Sequence, residues 1–207
     1  MSYKGIDVSR WQSDIDWKRA AQSDFVDFAI LKAGGSDDGF YTDSYFERNY
    51  AGAKAAGIPV GAYYIVGPRC QTRTDGRFDA QRFIQIVAGK KFEYPVVLDF
   101  ELPPTWSRVG NTDAAIGFCD EMETAGYYVS IYASDISGFM DRLEAGRLTR
   151  YDKWVASYGR EPQHIKVYGM WQTSDSGSIP GIRTAVDTDI AYHNFPEIMK
   201  RNHLNGY

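Results

Sequence analysis

The sequence predicts an α/β protein whose strands close into an irregular barrel. Short apolar runs alternate with helix-like segments up to about residue 150, and three further runs follow without room for full helices between them. The eight runs together match the number of strands that closes a small barrel. A complete eight-helix barrel typically takes ~250 residues and does not fit into 207 residues. The prediction is therefore an irregular TIM-like barrel of five βα units followed by three strands, (β/α)5(β)3.

The first five runs are rich in β-branched and aromatic residues and show no strict polar alternation, which is typical of strands buried on both faces of a parallel sheet. These predicted strands are residues 5–9, 28–33, 60–67, 95–101 and 127–134. Helices are predicted near residues 14–22, 44–56, 74–88, 111–125 and 135–145. Five such units in succession favour a barrel or a doubly wound sheet.

Several helix ends carry local signals. Gly57 and Gly126 each follow an alanine at the end of a predicted helix, where glycine adopts the left-handed conformation without strain. Asn111 and Thr112 are candidate N-caps of the fourth helix, and Asp113 would complement its dipole.

The last third of the chain is predicted to be rich in strands, at residues 153–159, 167–173 and 185–192. The gap at 160–166 is shorter than the dozen or so residues that a parallel crossover needs, so at least one antiparallel pair is expected. Asp187 stands at the start of its strand. If it joins acids at the ends of the early strands, the last strand must run antiparallel to them, and the sequence leaves this open.

Composition excludes several classes of protein. The chain is 15% aromatic and carries a net charge of −4, without the basic excess of a nucleic-acid-binding protein. No apolar run approaches the ~18 residues of a membrane span, and no secretory signal is visible at the N-terminus. Cys70 and Cys119 are expected to be free, buried thiols. We expect residues 1–207 to form a single catalytic domain and the protein to be a monomer.

Carboxylates are the candidate chemical groups, because the sequence lacks GxSxG, GxGxxG, P-loop and HExxH motifs. Asp99 and Glu101 end a predicted strand at positions i and i+2, so both side chains point to the same face. Two carboxylates this close raise each other's proton affinity, and one can then stay protonated as a general acid. Cleavage of a glycosidic bond requires such a pair.

Polar and aromatic residues near the ends of the other strands complete the candidate site. They are Asp7, Lys32, Tyr63, Tyr64, Trp106, Tyr132, Trp171, Asp187 and Asp189. Sugars stack their apolar faces on aromatic rings while their hydroxyls bond to polar neighbours, so this mixture favours a carbohydrate over a phosphate. Structural interpretations exist as well. Asp7 can be a turn residue, Asp187 and Asp189 can form a solvated pair on an edge strand, and about half of the rings can belong to the core.

The segment GIDVSRWQSDIDW resembles the opening signature of glycoside hydrolase family 25, the lysozymes that cleave bacterial peptidoglycan as N-acetylmuramidases. Further blocks resemble the family in the same order along the chain: FAILKA, AGAKAAGIPVGAYY, VVLDFE, VSIYAS, KWVASYG, MWQTS and VDTDIAY. Each block alone is a weak signal, whereas eight in the right order are a strong one. The sequence departs from the family pattern after Lys32, where AGGSDDG stands in place of the usual ATEG, and in YYIVG, where a histidine often follows the tyrosine.

The resemblance implies a role for each matching position. Glu101 matches the general acid/base and Asp99 the second catalytic carboxylate, while Asp7 and Asp187 match two further acids of the pocket. The implied substrate-contacting aromatic residues are Tyr63, Tyr132 and Trp171. The resemblance implies no metal and no cofactor.

The sequence therefore predicts a lysozyme that hydrolyses the β-1,4 bond between N-acetylmuramic acid and N-acetylglucosamine, with peptidoglycan glycan strands as its partner. Asp99 would act either as a nucleophile or by orienting the substrate's N-acetyl group. Two other classes stay open: a catalytically silent glycan-binding module, and a metal-dependent phosphodiesterase with Asp7, Asp99 and Glu101 as oxygen ligands. We expect synthesis in the cytoplasm and action on the cell wall, after release at lysis if the chain is phage-encoded.

Overall fold

The computed structural model describes residues 2–101 and 107–207, so the predicted substrate contact Trp106 lies outside the described residues. The strands in this part of the chain are β1 (Tyr3–Val8), β2 (Phe28–Gly35), β3 (Tyr41–Thr42), β4 (Val60–Ile65), β5 (Val96–Asp99), β6 (Val129–Ser134), β7 (Asp152–Ala156), β8 (Met170–Gly177) and β9 (Val186–Ala191). Its helices are α1 (Trp17–Ala20), α2 (Phe46–Ala55), α3 (Arg73–Val87), α4 (Arg108–Thr124) and α5 (Phe195–Asn202), with short 3-10 turns at Arg10–Gln12 and Ala145–Leu148 and a π-helical turn at Asp135–Met140. None of these helices combines the length and the apolar character that crossing a membrane requires.

Eight strands close into a barrel in the order β1-β2-β4-β5-β6-β7-β8-β9, with β9 paired to β1. The first seven of these strands run parallel, whereas β9 runs antiparallel to both of its neighbours. The two-residue strand β3 pairs with β2 outside the barrel. The predicted architecture of five βα units followed by three strands is confirmed, and β3 and α5 are additions that the sequence did not predict.

Side chains alternate along each strand between two apolar layers. The outward layer packs against the helices and includes Ile6, Val8, Leu98 and Phe100. The inward layer fills the barrel and includes Phe28, Ile30, Val97, Tyr132 and Trp154. This alternation places Asp7 between Ile6 and Val8, and Asp99 between Leu98 and Phe100, so that outward-facing apolar residues anchor each acid's strand against the helices.

The connections of the last third determine which residues meet. β8 follows β7 in parallel through residues 157–169, which contain no helix. The Asp135 carboxylate holds this connection by accepting hydrogen bonds from the backbone N–H groups of residues 163–165. Because β9 is antiparallel to β1, Asp187 is the register partner of Asp7. The start of β9 therefore lies at the same end of the barrel as the ends of the parallel strands.

The helix ends agree with the sequence in part. Gly57 and Gly126 end their helices at φ angles of 77° and 85°, as predicted. The predicted N-caps Asn111 and Thr112 are wrong, because α4 begins one turn earlier with Ser107 as its N-cap. Both residues are buried within the helix, where their side chains bond to backbone carbonyl groups.

The end of the barrel at which the parallel strands begin is closed by α5. Phe195 and Met199, one turn apart on this helix, project into the inward layer. The rings of Phe28 and Tyr94 stack there with centroids 4.2 Å apart, and the ring of Phe195 lies 5.4 Å from that of Tyr94. Gly5 leaves the necessary space, since a Cβ at this position would collide with the Phe28 ring. Apolar rings therefore fill this end.

The two cysteines contribute to the outward layer. Cys70 and Cys119 are buried and unpaired, as the sequence predicted. Burial raises the pKa of the Cys119 thiol well above its usual range, so this residue behaves as a small apolar side chain.

Candidate active site

A pocket opens at the opposite end of the barrel, where the parallel strands terminate. Its volume is about 140 Å³, which corresponds to roughly five water molecules at ~30 Å³ each. Its lining consists of Asp7, Lys32, Tyr63, Ile65, Asp99, Glu101, Tyr132, Trp154, Gln172 and Asp187. Seven of the predicted site residues thus converge here: Asp7, Lys32, Tyr63, Asp99, Glu101, Tyr132 and Asp187.

The acid pair of β5 reaches the pocket because Phe100 lies between its members and faces the other way. Phe100 is buried in the outward layer, and its N–H donates to the carbonyl oxygen of Tyr132 at 2.9 Å. Asp99 and Glu101 therefore both face the pocket, as the spacing predicted. Asp99 is only 6% exposed, whereas Glu101 is accessible to solvent. One carboxyl thus lies at the floor of the pocket and the other at its mouth.

Burial is the main cause of the unusual acid–base behaviour of this pair. Burial, reinforced by the charge of Glu101, raises the pKa of Asp99 well above its usual range. Burial also raises the pKa of Glu101, and the Lys32 ammonium acts in the opposite direction on both groups. The Oδ1 atom of Asp99 is buried and has no hydrogen-bond partner among the described residues. A buried acceptor of this kind is costly unless a ligand or a proton satisfies it.

A second pair of acids is joined by an amide. The Nε2 atom of Gln172 donates to the Oδ2 atoms of Asp7 and Asp187, at 2.8 and 3.2 Å. Its Oε1 atom accepts from the hydroxyls of Tyr132 and Tyr158, at 2.8 and 2.9 Å. All four hydrogen-bonding positions of the amide are therefore used. Gln172 connects three strands and holds two carboxyls at a fixed separation.

The pKa values of this second pair are raised as well. Burial, and then the charge of Asp187, raises the pKa of Asp7 well above its usual range, while the hydrogen bond from Gln172 acts in the opposite direction. Burial, followed by the charges of Asp175 and Glu101, raises the pKa of Asp187 to about 6. Neighbouring carboxyls with raised pKa values can keep and return a proton near neutral pH, which is the behaviour of acid–base sites.

Asp189 lies on the inward face of β9 but beneath the pocket. It is fully buried, and its Oδ1 accepts a hydrogen bond from Trp154 Nε1 at 2.8 Å. Burial and the charge of Asp7 raise its pKa well above the usual range. The prediction that Asp189 contacts substrate is therefore replaced by a supporting position under Asp7 and Trp154.

Aromatic rings form one wall of the pocket. Trp154 packs edge-on against Tyr132, with ring centroids 4.7 Å apart, and against Tyr63 at 6.4 Å. The Lys32 ammonium lies 5.7 Å from the centre of the Tyr63 ring. Although several acids converge nearby, no group of three or more His, Cys, Asp or Glu residues among residues 2–101 and 107–207 is arranged to hold a metal ion.

The structure places two of the predicted substrate contacts, Tyr64 and Trp171, outside the lining of this pocket. Tyr64 faces the helices, where it is buried and its hydroxyl donates to Asp79. Trp171 faces outward from β8, and its Nε1 donates to the carbonyl oxygen of Ser157 at 2.8 Å. Because side chains alternate, the residue that enters the pocket from β8 is Gln172. Sequence reasoning did not select it, although its position next to an outward tryptophan follows the two-residue period of a strand.

The chain is similar to known proteins of one enzyme family. The model of glycosyl hydrolases family 25 matches residues 6–182, which include the acid pair and Gln172 but not Asp187. YegX of Escherichia coli (strain K12) is 31% identical over 193 residues, covering 90% of this chain and 68% of YegX. The autolytic lysozyme of Clostridium acetobutylicum is 28% identical over 187 residues, covering 90% of this chain and 55% of that protein.

A solved structure extends the similarity to the fold. The crystal structure of the bacterial lysozyme from Streptomyces coelicolor aligns with a TM-score of 0.82 at 24% identity, covering 97% of this chain and 98% of that chain. The family match spans most of the sequence, and the four acids that the resemblance implies, Asp7, Asp99, Glu101 and Asp187, line one pocket. The chain belongs to glycosyl hydrolases family 25 and is a glycoside hydrolase.

Proposed function

We propose that this protein is a lysozyme that hydrolyses the β-1,4 bond between N-acetylmuramic acid and N-acetylglucosamine in peptidoglycan. Family membership and the lysozyme among its relatives support hydrolysis of peptidoglycan in general. The observation that carries the proposal of glycosidic cleavage is the placement of Glu101 at the mouth of the pocket and Asp99 at its floor, on one face of one strand; the choice of bond follows the family resemblance.

Glu101 serves as the general acid. Its raised pKa favours the protonated form, and its exposure allows it to exchange protons with solvent. In the first step Glu101 gives its proton to the glycosidic oxygen as the bond from that oxygen to the anomeric carbon breaks. The leaving sugar departs with a new hydroxyl, and Glu101 is left as a carboxylate.

Asp99 assists at the anomeric carbon. Its raised pKa disfavours the free carboxylate that a nucleophile must be, whereas its Oδ1, a buried acceptor without a partner among the described residues, suits a hydrogen bond from an acetamido N–H. We therefore assign Asp99 to orienting the substrate's N-acetyl group, whose carbonyl oxygen forms a bond to the anomeric carbon as the leaving group departs. Water then attacks that carbon, the Glu101 carboxylate takes its proton, and the acetamide is restored with net retention of configuration.

The other pocket residues hold the reacting groups. Gln172 keeps Asp7 and Asp187 in place, and the raised pKa values of these two acids allow the pair to hold and return a proton beside the reacting groups. Tyr63 and Tyr132 offer ring surface to a sugar, and the Lys32 ammonium lowers the pKa of both Asp99 and Glu101.

We propose that residues 1–207 act as one catalytic domain, since β9 completes both the barrel and the pocket. The protein would act on the cell wall as a monomer.

Digestion of purified peptidoglycan, followed by identification of the new reducing end, tests the proposal. Muramic acid at the new reducing end supports it, and glucosamine there identifies a glucosaminidase instead. Binding of peptidoglycan without any new reducing end identifies a catalytically silent glycan-binding module. A parallel digestion in EDTA tests metal dependence, and unchanged activity excludes a metal-dependent reaction.

A further inference from the structure

A row of alternating cations and aromatic rings leads out of the pocket along the loops that follow β1 and β2. The Lys32 ammonium lies 5.7 Å from the ring centre of Tyr63 and 5.8 Å from that of Tyr41. The Arg10 guanidinium lies 5.7 Å from the centre of the same Tyr41 ring and 5.2 Å from the ring of Trp11. We call these five residues the cation–aromatic track. Only its inner end, Tyr63 and Lys32, lines the pocket.

The outer end of the track is held rigidly. The Ser9 side chain caps the 3-10 turn and accepts a hydrogen bond from the N–H of Trp11 at 3.3 Å. Asp43, only 2% exposed, accepts a hydrogen bond from the N–H of Arg10 at 3.1 Å. Ser13 closes the turn at φ 53° and ψ −138°, a conformation that residues other than glycine rarely adopt. The two side chains of the turn are therefore presented on a backbone with little freedom.

Trp11 is 70% exposed despite this rigid backbone. A tryptophan held out to solvent leaves a large apolar face unburied, and such faces mark binding surfaces. The outer ring of the track is thus available to stack on a ligand. Because its backbone is already rigid, the protein loses little conformational freedom when the ligand binds.

The cations of the track form no direct ion pair among the described residues, although the Lys32 ammonium also lowers the pKa of Asp99 and Glu101. None of the ion pairs in the described part of the chain involves Arg10 or Lys32. The two carboxylates beside the track already accept hydrogen bonds, Asp43 from backbone N–H groups that include that of Arg10, and Asp37 from the Tyr41 hydroxyl at 2.8 Å. An anion at the outer end of the track therefore meets the Arg10 guanidinium, which is in no ion pair with a carboxylate of the described residues.

The β8–β9 side of the pocket has the opposite character. Asp187 lines the pocket there, and Asp175 lies close enough to raise its pKa. A ligand that carries a negative group would be repelled on that side and attracted on the side of Arg10. The asymmetry of charge thus gives the ligand a preferred direction.

The pocket, at about 140 Å³, encloses only a small part of a glycan chain, so neighbouring sugars must lie outside it. On the basis of the proposed function, we propose that the cation–aromatic track is a subsite for the glycan beyond the pocket. A sugar ring stacks on Trp11, and Arg10 binds a carboxylate of the glycan, either that of a free muramyl lactyl group or that of a peptide attached to it.

Binding measurements on the Glu101→Gln protein, which retains ligand without turning it over, test this subsite. Three probes are used. The first is chitotetraose, the second is a peptide-free tetrasaccharide of alternating N-acetylglucosamine and N-acetylmuramic acid, and the third is that same alternating tetrasaccharide carrying its peptides. Adding Arg10→Gln should weaken binding of at least one muramyl probe about tenfold and leave chitotetraose unchanged, because one charge-assisted hydrogen bond is lost. Adding Trp11→Ala should weaken the binding of all three probes, because each carries a sugar ring that can stack on the tryptophan.

Arg48 provides a matched control. Its guanidinium lies 5.9 Å from the centre of the Tyr45 ring, outside the track, and pairs with Asp14. Arg48→Gln should change the affinity for none of the probes. Arg10→Lys should keep most of the affinity for the muramyl probes and weaken it further in high salt, which verifies that charge and not local folding is measured.

The probes also distinguish the source of the carboxylate. If Arg10→Gln lowers the affinity for the peptide-free muramyl probe, Arg10 binds the lactyl carboxylate. If it lowers the affinity only for the peptide-bearing probe, Arg10 binds a peptide carboxylate. Arg10→Gln without effect, or with an equal effect on chitotetraose, overturns the subsite while the proposed function stands. If the Glu101→Gln protein binds no probe and the wild type releases no reducing ends, both proposals fail.

Discussion

The two ends of the barrel are built from the same eight strands but have opposite interiors. At the end where the parallel strands begin, Phe28, Tyr94 and Phe195 stack on one another beneath α5. At the other end, carboxyls, an amide and an ammonium face a pocket that is open to solvent. Trp154 lies between the two ends, since its ring belongs to the apolar interior and its Nε1 donates a hydrogen bond to Asp189.

The difference shows how the fold separates stability from chemistry. Apolar rings at the closed end contribute burial, which is the dominant favourable term in folding. The open end gathers groups that cost free energy when buried, namely acids with raised pKa values and an unpaired carboxylate oxygen. Substitutions at the closed end should therefore change stability, and substitutions at the open end should change activity.

The largest expected effect is at the open end, for Glu101→Gln. Turnover should fall about 10²–10⁴-fold, because the general acid is lost. The melting temperature should stay the same, since the side chain is exposed and the amide has nearly the same shape. Release of reducing ends from peptidoglycan and thermal unfolding measure the two quantities, with exposed Glu161→Gln as the control. Wild-type turnover in a folded Glu101→Gln protein would remove Glu101 from the mechanism.

At the closed end, Phe195→Ala should lower the free energy of unfolding by about 3–5 kcal/mol, because it leaves a cavity under the barrel. Turnover per folded molecule should be unchanged. Met199→Leu is the control in the same helix and should cost less than ~1.5 kcal/mol, since it keeps the volume. Urea unfolding measures the stabilities. A loss of turnover at unchanged stability would show that the two ends are coupled.

Gln172→Ala should reduce turnover about tenfold to a hundredfold, because the two hydrogen bonds that position Asp7 and Asp187 disappear together with the two that Gln172 accepts from Tyr132 and Tyr158. The hydrogen bond from Gln172 lowers the pKa of Asp7, so its loss should raise that pKa and change the pH profile of turnover. The control is Thr173→Val, at the outward-facing neighbour of Gln172, and it should leave the pH profile of turnover unchanged. A pH profile of Gln172→Ala identical to wild type would mean that the amide has a structural role only.

Asp187→Asn should change how stability depends on pH. Folding raises the pKa of Asp187 from its ordinary value of 3.8 to about 6. The folded state then binds this proton more tightly than the unfolded state, so the contribution of Asp187 to the free energy of unfolding falls as pH rises between these two values. In Asp187→Asn the decline should be shallower. Urea unfolding across this pH window measures the slope of the free energy of unfolding against pH, with Asp24→Asn at an exposed position as the control. The same slope in Asp187→Asn as in the wild type would contradict the raised pKa.

The smallest effect is expected for Tyr64→Phe, which removes a hydroxyl that donates to Asp79 on the helix side of β4. Stability should fall by about 0.5–1.5 kcal/mol, the contribution of a typical hydrogen bond, and turnover should not change. The inward neighbour supplies the comparison, because Tyr63→Ala should lower turnover. Equal losses of turnover in the two variants would contradict the inward and outward assignment of these adjacent tyrosines.

These adjacent residues also show why the sequence predicted only part of the site. Tyr63 and Tyr64 both end a strand, and a shift of one residue exchanges the two faces of a strand. The same ambiguity made Trp171 a more prominent candidate than Gln172. The helix α5 was predictable in principle, since Asn194 caps it and a proline stands in its first turn. The two-residue strand β3, which places Tyr41 beside Lys32, is too short for any periodicity to reveal.

The sequence by itself determined the eight strands of the barrel, the helix ends at Gly57 and Gly126, and the common face of Asp99 and Glu101, because each depends on local spacing. Only the tertiary structure decided that β9 runs antiparallel, that Asp187 meets Asp7, and that Gln172 lies between them. The hydrogen bond between Gln172 and Asp7 joins residues 165 positions apart. Such a contact forms only when the barrel closes, and closure depends on the packing of all eight strands and not on any one segment.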